Sequence, residues 1–465
     1  MSNFGLISGD ETGSINCARI VINIMRSIDK FWIALTLVIL LSAPAIHLQA
    51  QEDAIKTGTG IGVDRTRLAV SSFRAGGDVS GLLRTFDETL WNDLDFAGIF
   101  YLASKSFYPL SLPSRPAELK LEEWSGPPVN AQMVVLGNAV TMGEQVLIEA
   151  FLVDPRNTTQ PVVFGKRYAE EPTEHAVRQT AHRFANEIIF RLGGGVPGIA
   201  ESKVVFVRRT NPKIKEIWIM DYDGSNHEQI THLDTLCLTP AISVDGSQVA
   251  FTTYKNDKPE IMIYSLLTRK QLPFSNRRGL NTTPTWSPDG SRMAITSSVT
   301  GDPEIYIVDL QGKNFKRLTV ARGVDISPSW NPKTGAHIIF VSDRGGSPKI
   351  YMMDNDGANV TPLVTEGVQA LDPAWSPNGR LVAFTLYKDG EYNINIMDVA
   401  TRNIVQLTRN SRKNEHPSWS PDNRHIVFTS NRTGVSQIWT MIADGSKQRQ
   451  LTTRGNNTEP AWSSR

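Results

Sequence analysis

The tightest constraint on this chain is a phrase written five times over its C-terminal half. A proline is followed two residues later by tryptophan at Pro284/Trp286, Pro328/Trp330, Pro373/Trp375, Pro417/Trp419 and Pro460/Trp462, with copies 43 to 45 residues apart. A Ser-Pro-Asp-Gly type of turn comes next, as at Ser287-Pro288-Asp289-Gly290 and Ser376-Pro377-Asn378-Gly379. Proline presets one φ there, and the Asp-Gly or Asn-Gly pair supplies the reversal. A second apolar run ends at Phe206, Phe251, Ile295, Phe340, Phe384 and Phe428, and a third carries Ile217, Ile261, Ile305, Ile350, Ile394 and Ile438. A fourth ends at Ile230, Leu272, Leu318, Leu363, Leu407 and Leu451, so six units are present. Short strands repeated at this period cannot bury their faces alone and stack on their neighbours, which specifies an all-β six-bladed β-propeller over residues 201–465.

The first unit has no Pro-x-Trp strand, and the last stops directly after one. Pairing of residues 459–463 with residues 203–208 is therefore expected to close the ring and leave no free edge. Each tryptophan is expected to wedge between adjacent blades, a packing role worth a few kcal/mol of burial.

Upstream the periodicity changes. Over residues 67–195 strand and helix patterns alternate: apolar runs at 68–73, 133–136, 146–151 and 161–164, and a helix face made by Leu82, Leu83, Phe86, Leu90 and Leu94. A second helix capped by Thr173 carries Ala176, Val177, Ala181, Phe184, Ile188, Ile189 and Leu192 and ends at Gly193-Gly194-Gly195. This reads as an α/β N-terminal domain, joined to the propeller by a linker at 196–200. His175 and His182 on that helix are expected on a solvated face, since no third ligand is spaced to join them.

Residues 1–50 read as an export signal. Arg26 and Lys30 precede an apolar run from Phe31 to Ala45, followed by the small-residue sites Ala43-Pro44-Ala45 and Leu48-Gln49-Ala50. Met25 is the expected initiator and Gln51 the approximate mature start. Residues 51–66, rich in glycine and without periodicity, are expected to form a flexible tail.

Composition excludes several function classes. Lys and Arg number 48 against 47 Asp and Glu, spread along the chain without basic runs, so nothing points to nucleic acid. Two cysteines, Cys17 and Cys237, cannot make a disulfide framework or a cysteine zinc site. No Gly-x-Ser-x-Gly elbow and no His-Glu-x-x-His occurs. Asp221-Tyr222-Asp223-Gly224 and Asp354-Asn355-Asp356-Gly357 are too short for a calcium loop and read as tight turns between third and fourth strands. The chain reads as a binding module and not an enzyme. No cofactor is expected, and a cation in the propeller channel stays open.

The order of parts, an exported α/β domain and then six Pro-x-Trp-Ser-Pro-Asp-Gly units, resembles the TolB family, the periplasmic propeller proteins of the Tol-Pal envelope system. Related propellers gate prolyl-oligopeptidase-type hydrolases, but those continue into a hydrolase domain. The resemblance implies a periplasmic scaffold, monomeric within its complex, that supports outer-membrane constriction and integrity at cell division. It implies that the peptidoglycan-associated lipoprotein Pal docks at one mouth of the propeller channel and that TolA engages the tail, with other outer-membrane proteins as further partners. Carried onto this sequence, the Pal candidates precede the Pro-x-Trp phrases: Asn281, Thr283, Ser327, Asp372, Glu415, His416, Asn457, Thr458 and Glu459. The TolA candidates are Gln51, Glu52, Asp53, Ile55, Lys56, Ile61 and Val63. The alternative is a ligand-sensing or gating propeller that serves a separate peptidase or hydrolase.

Overall fold

The computed structural model describes residues 65–463. The expected export signal, Met25, Cys17 and the TolA candidates Gln51 to Val63 lie outside the described residues.

Six strands make the first sheet: β1 (Thr66–Val70), β2 (Arg74–Gly76), β3 (Phe100–Leu102), β4 (Met133–Met142), β5 (Gln145–Val153) and β6 (Val162–Glu170). Their order is β3-β1-β4-β5-β6, with β2 pairing the far end of β4. β1 runs parallel to β3 and β4, while β4, β5 and β6 form an antiparallel meander. The sheet is therefore mixed, and its hairpin strands are longer than their apolar cores alone indicate. Helices α1 (Ser80–Phe96) and α3 (Glu174–Leu192) cover one face, burying Leu83, Phe86, Leu90 and Leu94 against Val177, Ala181, Phe184 and Ile188. Thr173 caps α3 by accepting the Ala176 N–H at 3.2 Å. The short helix α2 (Leu121–Ser125) seals the other face with Trp124.

His182 corrects the sequence expectation. It is fully buried, with Nδ1 2.7 Å from Asp93 of α1 and its ring edge-on to Tyr222 of the propeller. Tyr222 donates its hydroxyl to the same carboxylate. Helical spacing placed His182 on a face, but its partners come from 89 and 40 positions away in sequence, on elements the spacing cannot see.

Asp87 of α1 accepts the Phe73 N–H at 3.2 Å in a half-buried groove. Burial pushes its carboxyl up to about 7, outweighing the Phe73 amide and Lys105, which act the other way. A carboxyl whose folded pKa is raised lets the native state hold the extra proton, so its contribution falls as pH rises from about 4 to 7. Asp87→Asn is expected to remove that slope and to stabilise the protein by roughly 1–2 kcal/mol at pH 8, a figure discounted for partial exposure. Melting curves from pH 4 to 8 check it; an identical slope in the variant would reject the assignment.

The remaining strands form six four-stranded antiparallel sheets. Blades 1 to 5 are continuous in sequence, with inner strands Cys237–Ile242, Asn281–Trp286, Asp325–Trp330, Gln369–Trp375 and Asn414–Trp419. Blade 6 takes its inner strand, Asn456–Trp462, from the C-terminal end and its other three, starting with Lys203–Asn211, from the beginning of the propeller. Asn457 pairs with Arg208 and Trp462 with Val204, as the complementary deficits required. Ser463 clamps this joint, its N–H on the Lys203 carbonyl and its Oγ on the Lys203 N–H, both at 2.9 Å.

The repeated residues have separate structural reasons. Trp286 and Trp419 are buried and donate to the carbonyls of Ala241 and Ala374 on the preceding blade's inner strand, at 3.0 and 3.1 Å. They wedge between blades. The Leu-Thr that closes a unit works inside the blade: the hydroxyls of Thr231, Thr319, Thr408 and Thr452 accept the N–H of Ile217, Ile305, Ile394 and Ile438 at 2.8–2.9 Å. Those hydroxyls donate in turn to Glu216, Glu304, Asn393 and Gln437, side chains that are themselves buried. Each threonine thus satisfies an interior acceptor while holding the fourth strand to the third.

Candidate functional site

Every inner strand breaks register at the residue before its proline, the ladder skipping between Leu238 and Ala241, Thr282 and Thr285, Ile326 and Ser329, Leu371 and Ala374, Glu415 and Ser418, and Thr458 and Ala461. The bulged residues are Thr239, Thr283, Ser327, Asp372, His416 and Glu459, all at φ between 47° and 54°. None is glycine, so each of the six holds a backbone conformation that side chains disfavour. The next residue, proline, has no N–H for the ladder to miss.

What the bulge gains is lateral bonding. The turned N–H groups of Thr283, His416 and Glu459 reach the hydroxyls of Thr252, Thr385 and Thr429 on the preceding blade, at 3.2, 3.2 and 3.0 Å. The Thr239 N–H reaches Glu459 Oε2 at 2.6 Å, across the joint between blades 1 and 6. These contacts stitch the blades at the axis and turn six side chains into one lumen of about 170 Å³, walled by those residues and their prolines.

Chemically the ring has two arcs. Thr239, Thr283 and Ser327 present hydroxyls; Asp372, His416 and Glu459 present ionisable groups. Burial works against a charged His416, but Asp372, Glu459 and Glu415 outweigh it and hold the imidazole above its ordinary value. Asp372 accepts the Thr385 hydroxyl at 2.8 Å, and Lys215 stands 3.8 Å from Glu459. Among the described residues, no group of three or more His, Cys, Asp or Glu is placed to hold a metal ion.

Of the sequence-predicted residues, the structure brings together Thr283, Ser327, Asp372, His416 and Glu459. Glu415 and Thr458 stand one position earlier, half-buried in the ladder, with Glu415 2.8 Å from Lys413. Asn281 and Asn457 are elsewhere. Both are buried, Asn281 donating to the Arg277 carbonyl at 2.7 Å and Asn457 bonding Gln437 at 2.8 Å and Arg208 at 2.8 Å. Thr239 was missed, because its unit has Ile242 where the others have tryptophan; its Thr-Pro lies 44 residues before Thr283-Pro284 and was the available signal.

Among the described residues, topology shows which mouth the α/β domain leaves open. In an up-and-down blade, the hairpins joining strands two and three share an end with the connections that lead into each inner strand. The other end carries the Ser-Pro-Asp-Gly turns and the Asp-x-Asp-Gly turns. The α/β domain docks on that second end: Lys447 reaches Asp95 at 2.6 Å, His425 Nε2 reaches the Phe96 carbonyl at 2.8 Å, and Arg178 of α3 pairs with Asp223. The first end is therefore free of the α/β domain. Val299, Val320, Val368 and Val435 are exposed there. No helix among the described residues is long and apolar enough to cross a membrane.

Comparison with known proteins agrees with this architecture. The solved structure of TolB from Acinetobacter baumannii matches with a TM-score of 0.73 and 25% identity, over 86% of this chain and 97% of that one. A Tol-Pal system protein TolB from Cereibacter sphaeroides is 30% identical over 53% of this chain and 55% of its own length. One from Geobacter metallireducens is 34% identical over 47% of this chain and 49% of its own. The chain thus spans about half the length of the curated relatives it matches. The family model described as the TolB beta propeller domain matches residues 191–372 and 366–465. With a six-bladed ring closed by strands from both ends of the repeat region, an α/β domain on one face and that family match over more than half of its length, the chain belongs to the TolB propeller family.

Proposed function

We propose that this protein is a non-enzymatic scaffold of the periplasm within the Tol-Pal system. The open propeller mouth docks the lipoprotein Pal, and residues 51–66 engage TolA. The observation that carries this reading is the polar ring at the open end of the channel, where six side chains from six blades converge on a rigid support. Binding residues on loops and bulges of a rigid scaffold can vary without disturbing the fold. The relatives named Tol-Pal system protein TolB support the system assignment. Periplasmic location follows from that assignment together with the export signal read in the sequence. The ring sets hydroxyls beside ionisable groups without a nucleophile paired to a base, which suits recognition better than turnover.

A pull-down with the intact protein from an envelope extract of its own organism tests the proposal. Pal is the expected principal capture. A folded protein that retains no Pal would reject the reading.

A further inference from the structure

We propose that the α/β domain has a binding site of its own, for an α-amino acid or a short peptide with free amino and carboxylate ends, in the cavity between α1 and the loop after β3. The cavity measures about 660 Å³, within the roughly 300–1,000 Å³ of small-ligand sites. Its apolar part is made by Phe73, Leu83 and Trp91, the first two buried in the core of the domain. It stands apart from the propeller mouth and from the docking role given to that mouth.

Two cations, Arg84 and Lys105, and two anions, Asp87 and Glu88, line the same cavity. On α1, Arg84 precedes Asp87 by three positions and Glu88 by four, the spacings at which opposite charges on a helix ordinarily pair. Here they do not. Among the described residues none of the four forms an ion pair, and the side chains of Arg84 and Glu88 have no hydrogen-bond partner either. Asp87 has only the Phe73 N–H, at 3.2 Å, and Lys105 rests over the Trp91 ring with Nζ 4.9 Å from its centroid. A half-buried carboxylate left in this state is costly, and burial raises its pKa to about 7. Groups perturbed in this way gather in clefts where a ligand completes the site. An ammonium group set beside Asp87 and Glu88 supplies the missing cation, and the carboxylate of the same ligand meets Arg84. The stabilisation expected of Asp87→Asn fits a residue kept for binding at the expense of the fold.

The backbone suits a peptide-like ligand as well. Among the described residues β2 pairs with β4 and with no other strand, so beyond Ala75, which lines the cavity, its edge is open to an added backbone.

Ligand-observed NMR titration of the full mature chain with L-leucine and with trialanine tests the site. Saturable binding with a Kd below about 1 mM is expected from at least one of them, and the tighter of the two identifies the occupant as a free amino acid or a peptide. The N-acetyl form of that ligand, which lacks the ammonium, and its amide, which lacks the carboxylate, should each bind about tenfold more weakly. Asp87→Asn is expected to weaken the free zwitterion about tenfold and to leave its N-acetyl form unmoved. Arg84→Ala should weaken it to a similar degree and leave its amide unmoved. Arg84 is exposed and has no internal partner, so that variant should keep the parent melting temperature. No binding of either compound at about 10 mM by the folded protein would overturn the proposal. Binding that neither substitution moves, or blocked forms that bind as tightly as the free zwitterion, would overturn it equally.

Discussion

Deletion of residues 460–465 is expected to collapse the propeller. The truncation removes the Ala461–Val205 and Trp462–Val204 pairs, together with the Ser463 clamp on Lys203. It also removes Trp462, buried against Val204, Phe206 and Ile438, with Nε1 2.8 Å from Ser202 Oγ. Loss of a buried tryptophan alone costs about 3–5 kcal/mol. Here the loss also frees a long apolar strand, Lys203–Asn211, whose exposed edge invites pairing with another molecule. A whole domain is stable by only about 5–15 kcal/mol, so the truncated chain should melt at least roughly 10 °C lower or aggregate on purification. Thermal melts and gel filtration decide it. An unchanged melting temperature would show that the blade 6 joint carries none of the ring's stability. Trp462→Ala, which leaves the strand in place, should fall between the two.

The second large effect lies where the α/β domain meets the propeller. His425 is fully buried, with Nε2 on the Phe96 carbonyl at 2.8 Å and Nδ1 on Asp422 at 3.0 Å. A carbonyl can only accept, and so can an ionised carboxylate, so both ring nitrogens face acceptors. The ring sits at the C-terminus of α1, where Lys447, on the Asp95 carbonyl at 2.7 Å, supplies the cation that the helix dipole favours. Burial acts to raise the pKa of Asp422, but His425 and Arg424 overcome it and hold the carboxyl at about 2. Asp422→Ala removes the carboxylate that pairs with the largely buried Arg424 at 3.4 Å and bonds His425 Nδ1, a loss expected to cost about 3–5 kcal/mol. A carboxyl with a depressed folded pKa contributes stability above its unfolded value near 3.8 and loses it as pH falls toward 2. Acid unfolding of the parent should therefore steepen between about pH 4 and 2, and the variant should lack that share of the slope. A cost below about 1 kcal/mol would mean that water or movement of α1 compensates the lost carboxylate.

The blade architecture was legible because each repeated residue does a local job whose pattern recurs. The Ile217 to Ile438 series marks third strands, and the Pro-x-Trp copies mark inner ones. The ring site was legible in part for the same reason: it lies one residue before a conspicuous proline. Thr239 escaped because Ile242 replaces the tryptophan that flags the phrase. Asn281 and Asn457 were drawn in because an asparagine that satisfies buried carbonyls looks the same in sequence as one that faces a partner. His182 misled for a related reason, its contacts with Asp93 and Tyr222 arising only from packing between elements far apart in the chain.

The most direct test of the docking role is amide hydrogen exchange on the full mature chain with and without the soluble domain of its own Pal. Protection is expected in the connections at 273–280, 319–324, 365–368, 408–413 and 452–455 and in the hairpins at 298–303 and 431–436. The α/β domain sheet should exchange as before. Saturable binding that protects only the opposite end of the propeller, or no change anywhere at saturating Pal, would contradict it.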